Sequence, residues 1–223
     1  MAKIIFDVET VGQDFELLDD ISKEYFLKYA DTEEKKQEAK NSLSFYPLTA
    51  QIVAIGMLDS ETDKGYVFFQ NNSLKKEAFK EANIQFISGT EKEILNNFWK
   101  VLKDYTTVIT FNGRVFDCPF VMLRSAILKI KPSKNLMPPR YGHLVHVDLQ
   151  DQLSFYGAMY RKFSLHMWCK AFGIKSPKES GITGLDVKNL FKEGRYLDIA
   201  RYCAGDLSAT KELYGYWEKY IKF

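Results

Sequence analysis

A mixed α/β fold is what this 223-residue chain predicts, and three observations carry the prediction. Short apolar runs crowd the first half, and apolar positions recur at steps of three and four in the second. In the middle the two patterns alternate, as they do where helices pack on a sheet. Composition agrees. With 46% hydrophobic and 27% charged residues, among them 17 Phe and 13 Tyr, one well-filled domain over residues 1–223 is expected. These values exclude a disordered, collagen-like or coiled-coil chain. No apolar run is long enough to predict a membrane-spanning helix.

The elements follow in order. Lys3 to Phe6 is a short apolar run ending at Asp7, which predicts a buried strand. Residues 14–46 are charged and helix-permissive, with apolar positions at Leu17, Ile21, Tyr25 and Tyr29, so a helical insertion on the surface is expected. Gln51–Leu58 and Gly65–Gln70 read as strands joined through the polar turn at 59–65, with Ile84–Ile87 as a third. Thr90 and Glu93 form a capping-box pattern, continued at helical spacing by Ile94, Leu95, Phe98, Val101 and Leu102. Thr106–Phe111 is β-branched and aromatic, and Asn112-Gly113 closes it. Phe116, Phe120, Leu123, Ile127 and Ile130 predict a helix with one buried face, Pro119 falling in its tolerated first turn. Residues 131–142 hold three prolines and read as a loop, and Leu144–Leu149 as a short strand. The rest is helical, broken at Gly157, around 173–184 and at Gly194. The final helix carries Ile199, Cys203, Leu207, Thr210, Tyr214, Trp217 and Ile221 on one stripe.

A formal charge of +2 from 31 basic and 29 acidic residues argues for no particular partner. Its distribution is uneven. Asp14 to Glu38 has nine acids against four lysines, a solvated acidic surface. From Cys118 to Val147 there is no acid, while Arg124, Lys129, Lys131, Lys134 and Arg140 give +5. Such a surface could follow a phosphate backbone. Cys118, Cys169 and Cys203 are an odd number with no close pair, against a disulfide framework or a zinc knuckle. The start, Met-Ala-Lys-Ile-Ile-Phe-Asp, has an acid where a signal peptide would stay apolar, so a cytoplasmic location is expected.

Chemistry concentrates in three places. Asp7-Val8-Glu9-Thr10 puts two carboxylates on one side of an extended chain, about 6–7 Å apart, where a hard divalent cation finds oxygen ligands. Asp-x-Glu occurs four times, but only this copy directly follows an apolar strand. Asp117 stands between the 106–111 strand and the next helix, either as a helix N-cap or at a strand end where ligands collect. Tyr202-x-x-x-Asp206 stacks a phenol and a carboxylate on one helix face. Asp148 and Asp151 read as helix-start residues, and His143, His146 and His166 as satisfied surface or core residues. There is no Gly-x-Ser-x-Gly elbow and no Gly-x-x-x-x-Gly-Lys loop.

Phe6-Asp7-Val8-Glu9-Thr10, Asn112-Gly113-x-x-Phe116-Asp117 and Tyr202-x-x-x-Asp206 together resemble the three motifs of the DEDDy 3′–5′ exonucleases. The chain looks most similar to stand-alone bacterial relatives of the proofreading domain of family B DNA polymerases. Pro47–Met57, Val147-Asp148-Leu149, Ser164-Leu165 and Ile199–Asp206 resemble further landmarks of that family. The resemblance implies a ribonuclease-H-like mixed sheet of about five strands flanked by helices, with a helical C-terminal part. It implies two divalent ions, Mg²⁺ or Mn²⁺, with Asp7 bridging them, Glu9 and Asp206 completing one site and Asp117 supporting the other. Tyr202 would orient the attacking water, and Thr10, Asn112 and Phe116 would hold the terminal nucleotide. The substrate implied is nucleic acid, single-stranded DNA with a free 3′ end, shortened to nucleoside 5′-monophosphates. The physics of the residues agrees. Clustered carboxylates repel by roughly 4 kcal/mol per close pair at a protein-surface dielectric, so such a cluster persists only if cations fill it or some acids protonate. The rival readings are a 3′-end binding module of the same fold that does not cut, an exoribonuclease, or a small-nucleotide phosphodiesterase.

Overall fold

A computed structural model describes residues 2–72, 76–142 and 145–222. Its seven strands are β1 (Lys3–Gly12), β2 (Ala50–Asp59), β3 (Gly65–Gln70), β4 (Ala78–Glu81), β5 (Ile84–Gly89), β6 (Thr107–Thr110) and β7 (His146–Asp148). They form one sheet in the order β4-β5-β3-β2-β1-β6-β7. β1, β6 and β7 run parallel, and β2 is antiparallel to both β1 and β3. The five strands from β3 to β7 in this order are the expected ribonuclease-H-like sheet, and β5 and β4 extend it beyond β3. β4 escapes a reading of the sequence because it is short and largely exposed; it pairs with β5 from Ala78↔Ile87 to Glu81↔Ile84, and Phe79 stacks on Phe86 at 5.2 Å.

Eight α-helices flank the sheet among the described residues: α1 (Asp20–Leu27), α2 (Glu33–Ser42), α3 (Glu91–Leu102), α4 (Asp117–Ile127), α5 (Leu149–Leu153), α6 (Leu165–Phe172), α7 (Val187–Lys192) and α8 (Tyr196–Tyr220). Alternation along β1 divides the core. Ile4, Phe6 and Val8 pack with Ile94, Phe98 and Val121 of α3 and α4. Ile5 packs on the other face with Leu207, Leu213 and Trp217 of α8. The capping box of Thr90 and Glu93 starts α3 as the sequence predicts. Gly173, with φ of 69°, ends α6 in the left-handed conformation that glycine favours.

Three expectations need correction. β1 does not stop at Phe6. It continues to Gly12 because β2 pairs with it throughout, from Ile4↔Asp59 to Gly12↔Ala50, with a bulge between Glu9 and Thr10. Pairing with β6 ends at Ile5↔Ile109, so beyond that point one edge of β1 is open. In α4 the buried residues are Asp117, Cys118, Phe120, Val121 and Ser125, while Leu123 and Ile127 are exposed. The helix is rotated because the Trp99 indole donates to Ser125 Oγ at 2.9 Å, turning that face inward. In the 14–46 segment, helices form, but Leu17, Ile21, Tyr25 and Tyr29 face solvent. Its apolar contacts come instead from Phe15, Leu18 and Leu43, with Phe26 and Leu27.

Candidate active site

The open edge of β1 is where the acids meet. Asp7 and Glu9 share the side of Ile5 and turn toward α8, which brings Asp206 and Tyr202 over them. Asp117 arrives from the opposite side. It is not the N-cap of α4, a position taken by Phe116, but the helix's first residue. Its carboxylate reaches across and accepts the Val8 N–H at 3.0 Å, a donor left free where the β6 ladder ends. Asn112, at φ of 62°, begins the loop that makes this possible. Asp148 pins that loop by accepting the N–H groups of Asn112 and Arg114, each at 2.9 Å, while also capping α5. Asp151 lies in the first turn of α5.

What faces these carboxylates is mainly one another. Burial first, then the charges of Asp117, Asp206 and Glu9, push the Asp7 carboxyl well above its ordinary range. Burial, then Asp206 and Asp117, do the same to Glu9. Burial raises both Asp117 and Asp206 to about 7, from an ordinary value of 3.8. The sign of the pH dependence follows. A carboxyl whose folded-state pKa is raised stabilises the fold fully below its unfolded pKa, and that stability is lost as pH rises through the folded value. With metal chelated, the melting temperature should therefore rise on going from pH 8 to pH 5, with roughly 2–3 kcal/mol of added stability from each of Asp117 and Asp206. Asp206→Asn should flatten the slope. A melting temperature that falls over this interval in the wild type would contradict the cluster's electrostatics.

Tyr202 lies against Asp206, Glu9 and Asp7, and burial followed by these charges raises its phenol far above the ordinary value. It stays protonated. Lys178, in the short 3₁₀ turn Pro177–Ser180, adds a positive charge that acts on Asp206. Cys203 is fully buried under Asp7, its Sγ lying 3.7 Å from the Asp7 carbonyl and 3.8 Å from Oδ2. One donor atom each from Asp7, Glu9 and Cys203 lies within 4.8 Å of the others. Neither Lys178 nor Cys203 is singled out by the sequence motifs. Cys203 is legible there only as part of the apolar stripe, and Lys178 carries no local signal at all.

Close packing of α8 on the sheet depends on Gly56, which pairs with Asp7. A Cβ there would meet Leu207 Cδ1 at 2.7 Å and Cys203 Sγ at 2.8 Å. Gly56→Ala should cost roughly 1–3 kcal/mol by overpacking. A melting temperature equal to the wild type's would show that α8 has room to move.

The remaining sequence candidates are placed as follows. Thr10 is buried with its hydroxyl donating to the Ser44 carbonyl at 2.7 Å. Asn112 and Phe116 line a groove beside the cluster. His146 is buried, its Nε2 2.8 Å from Thr110 Oγ1, and burial lowers its pKa to about 4, so it is neutral. His166 bonds Ser176 Oγ at 2.8 Å. His143 lies outside the described residues. The basic stretch does not form a free cationic track. Arg124 makes a two-bond ion pair with Glu91 at 2.7 and 2.8 Å, nearly buried on both sides. Arg140 does the same with Asp151 at 2.6 and 2.9 Å, and Lys134 is bound to the Tyr105 carbonyl. Lys129 and Lys131 remain as exposed cations.

Carboxylate oxygens gathered in this way suit a hard divalent cation, which would remove the mutual repulsion that now raises their pKa values. The Cys203 thiol, pushed well above its ordinary pKa first by burial and then by Asp7, does not suit such an ion. Comparison with known proteins points the same way. The family described as predicted 3′–5′ exonucleases related to the exonuclease domain of PolB matches residues 44–220. DNA polymerase 1 of Sulfolobus acidocaldarius is 22% identical over 156 residues, covering 63% of this chain and 18% of the polymerase. A DNA polymerase of Pyrococcus glycovorans is 26% identical over 153 residues, covering 60% of this chain and 19% of the other. The solved family B DNA polymerase of Pyrobaculum calidifontis superposes with a TM-score of 0.60 over 98% of this chain and 24% of its own, at 16% identity, which speaks to fold. The chain thus spans less than a fifth of the curated polymerases it resembles.

Proposed function

We propose, because the chain belongs to the family of predicted 3′–5′ exonucleases related to the exonuclease domain of PolB, that it removes nucleotides from the 3′ end of single-stranded DNA. The observation that carries this is the convergence of Asp7, Glu9, Asp117 and Asp206 from three separate elements, under the phenol of Tyr202. These four carboxylates would hold Mg²⁺ or Mn²⁺. Bound there, the ions would supply activation of water and neutralisation of charge on the attacking and leaving oxygens.

The chain's own residues define the rest. Attack of a water oxygen on the terminal phosphorus, with rupture of the bond to the 3′ oxygen, yields a nucleoside 5′-monophosphate and a strand one unit shorter that keeps its 3′ hydroxyl. Tyr202 stays protonated, so it donates a hydrogen bond to orient the water and does not act as a base. Lys178 sets a positive charge that acts on Asp206 and would favour an anionic phosphate there. His146 is buried and neutral, bonded to Thr110, and takes no part.

Digestion of 5′-labelled single-stranded DNA and the matching RNA with Mn²⁺ tests this. A ladder shortening one nucleotide at a time, with the label kept on the long fragments, is the expected result. Immediate release of a labelled mononucleotide would mean the opposite polarity. Faster loss of RNA would make the chain an exoribonuclease. Binding without shortening would make it a 3′-end binding module.

A further inference from the structure

Resting on that reading, we propose that the segment preceding β2 builds a stacking slot for the unpaired bases of the strand that enters the site. A groove of about 600 Å³ runs between this segment and α4. That volume falls in the range of roughly 300–1,000 Å³ typical of ligand sites. One wall is Phe45, Tyr46 and Pro47, and the other is formed by Asn112, Phe116 and Leu123. Among the described residues, no charged side chain lines it. Phe45 is 53% exposed and Tyr46 47%, so both aromatic side chains are half open to solvent. Each nucleobase has an apolar π-face, and aromatic side chains hold successive bases by stacking without reading their sequence. Bases in a duplex have both faces covered, so the slot selects single strands.

Both walls of the groove are joined through the chain to residues of the carboxylate cluster. Phe116 directly precedes Asp117. The opposite wall is tied to β1 one residue from Glu9, where Thr10 Oγ1 donates to the Ser44 carbonyl at 2.7 Å and the Gly12 N–H to Ser44 Oγ at 3.0 Å. A Cβ at Gly12 would lie 2.7 Å from the Ser44 nitrogen, so the approach needs glycine. The Arg124 guanidinium that is lost to any phosphate track donates instead to the Pro47 carbonyl at 3.1 Å, bracing the wall from behind. Phe26 of α1 lies against Tyr46 with ring centroids 5.9 Å apart. The acidic helices α1 and α2 thus carry a rim for the substrate, and Thr10 acts as a positioning residue through Ser44.

The test uses the whole chain with Phe45→Ala, Tyr46→Ala and Tyr46→Phe, each also on an Asp7→Ala background. Binding of a fluorescein-labelled 12-nucleotide DNA is read by anisotropy, and shortening by kcat and KM. Both side chains are half-exposed, and unchanged melting temperatures confirm folding. The alanine variants should raise Kd and KM by roughly 5- to 100-fold, the scale of one stacked base, with kcat held within about twofold. Tyr46→Phe should behave as wild type. A strand with abasic units at its three terminal positions should bind the wild type weakly and be indifferent to the alanine changes. Unchanged Kd in the alanine variants, or equal losses with the abasic strand, would overturn the slot. If Tyr46-dependent binding is found but no strand is shortened, the slot stands and the nuclease reading falls.

Discussion

Asp7→Ala is expected to abolish shortening of single-stranded DNA, with a fall of at least about a thousandfold, or roughly 4 kcal/mol of transition-state stabilisation. Asp7 occupies the centre of the cluster, since Asp117, Asp206 and Glu9 all act on its carboxyl. Without it the proposed metal site would lose the carboxylate that Glu9, Asp117 and Asp206 all act on. The same position makes the control informative. In the metal-free protein Asp7 is a source of repulsion, so its removal should leave the melting temperature unchanged or raise it in chelator. An inactive and destabilised variant would point to simple unfolding. A variant retaining more than about a tenth of wild-type turnover would rule out the proposed centre. The readout is the one-nucleotide ladder from 5′-labelled substrate, with mutant and wild type at equal folded concentration.

Metal is expected to stabilise the fold by a comparable amount. An ion that binds the folded state alone adds roughly 2.7 kcal/mol at 100 times its dissociation constant. For a domain of this size that corresponds to a rise in melting temperature on the order of 5–10 °C. Millimolar Mn²⁺ added to chelator-treated protein should produce it, and Asp7→Asn should remove most of it. The shift should be larger at pH 8 than at pH 5. Asp117 and Asp206, each raised to about 7, carry protons at the lower pH that the ion must displace. A melting temperature indifferent to Mn²⁺ at pH 8 would count against these carboxylates as ligands.

Much of the fold is legible in local pattern. The capping box at Thr90, the stripe from Ile199 to Trp217 and the hairpin at 59–65 each rest on residues near one another in sequence. The acids were visible for a similar reason, since Asp7 and Glu9 follow an apolar run and Tyr202 and Asp206 share a helix face. Local pattern fails where a distant partner decides. The apolar run marks no strand beyond Phe6, but β2 supplies a ladder as far as Gly12. Leu123 and Ile127 have the spacing of a buried face, yet Ser125 is turned in to meet Trp99.

The sequence by itself determined that this is an α/β chain with carboxylates at the ends of apolar runs, because periodicity and charge placement are local properties. Only the tertiary structure decided what those groups meet. Glu91 and Asp151, which lie outside the basic stretch, neutralise two of its arginines. Val8, freed where the β6 ladder ends, takes Asp117 away from helix capping. Ser44 engages Thr10, and Phe45 and Tyr46 share a groove with Asn112 and Phe116. Burial and Coulomb interactions depend on distance in space, and a chain of alternating short elements brings together residues that no spacing rule connects.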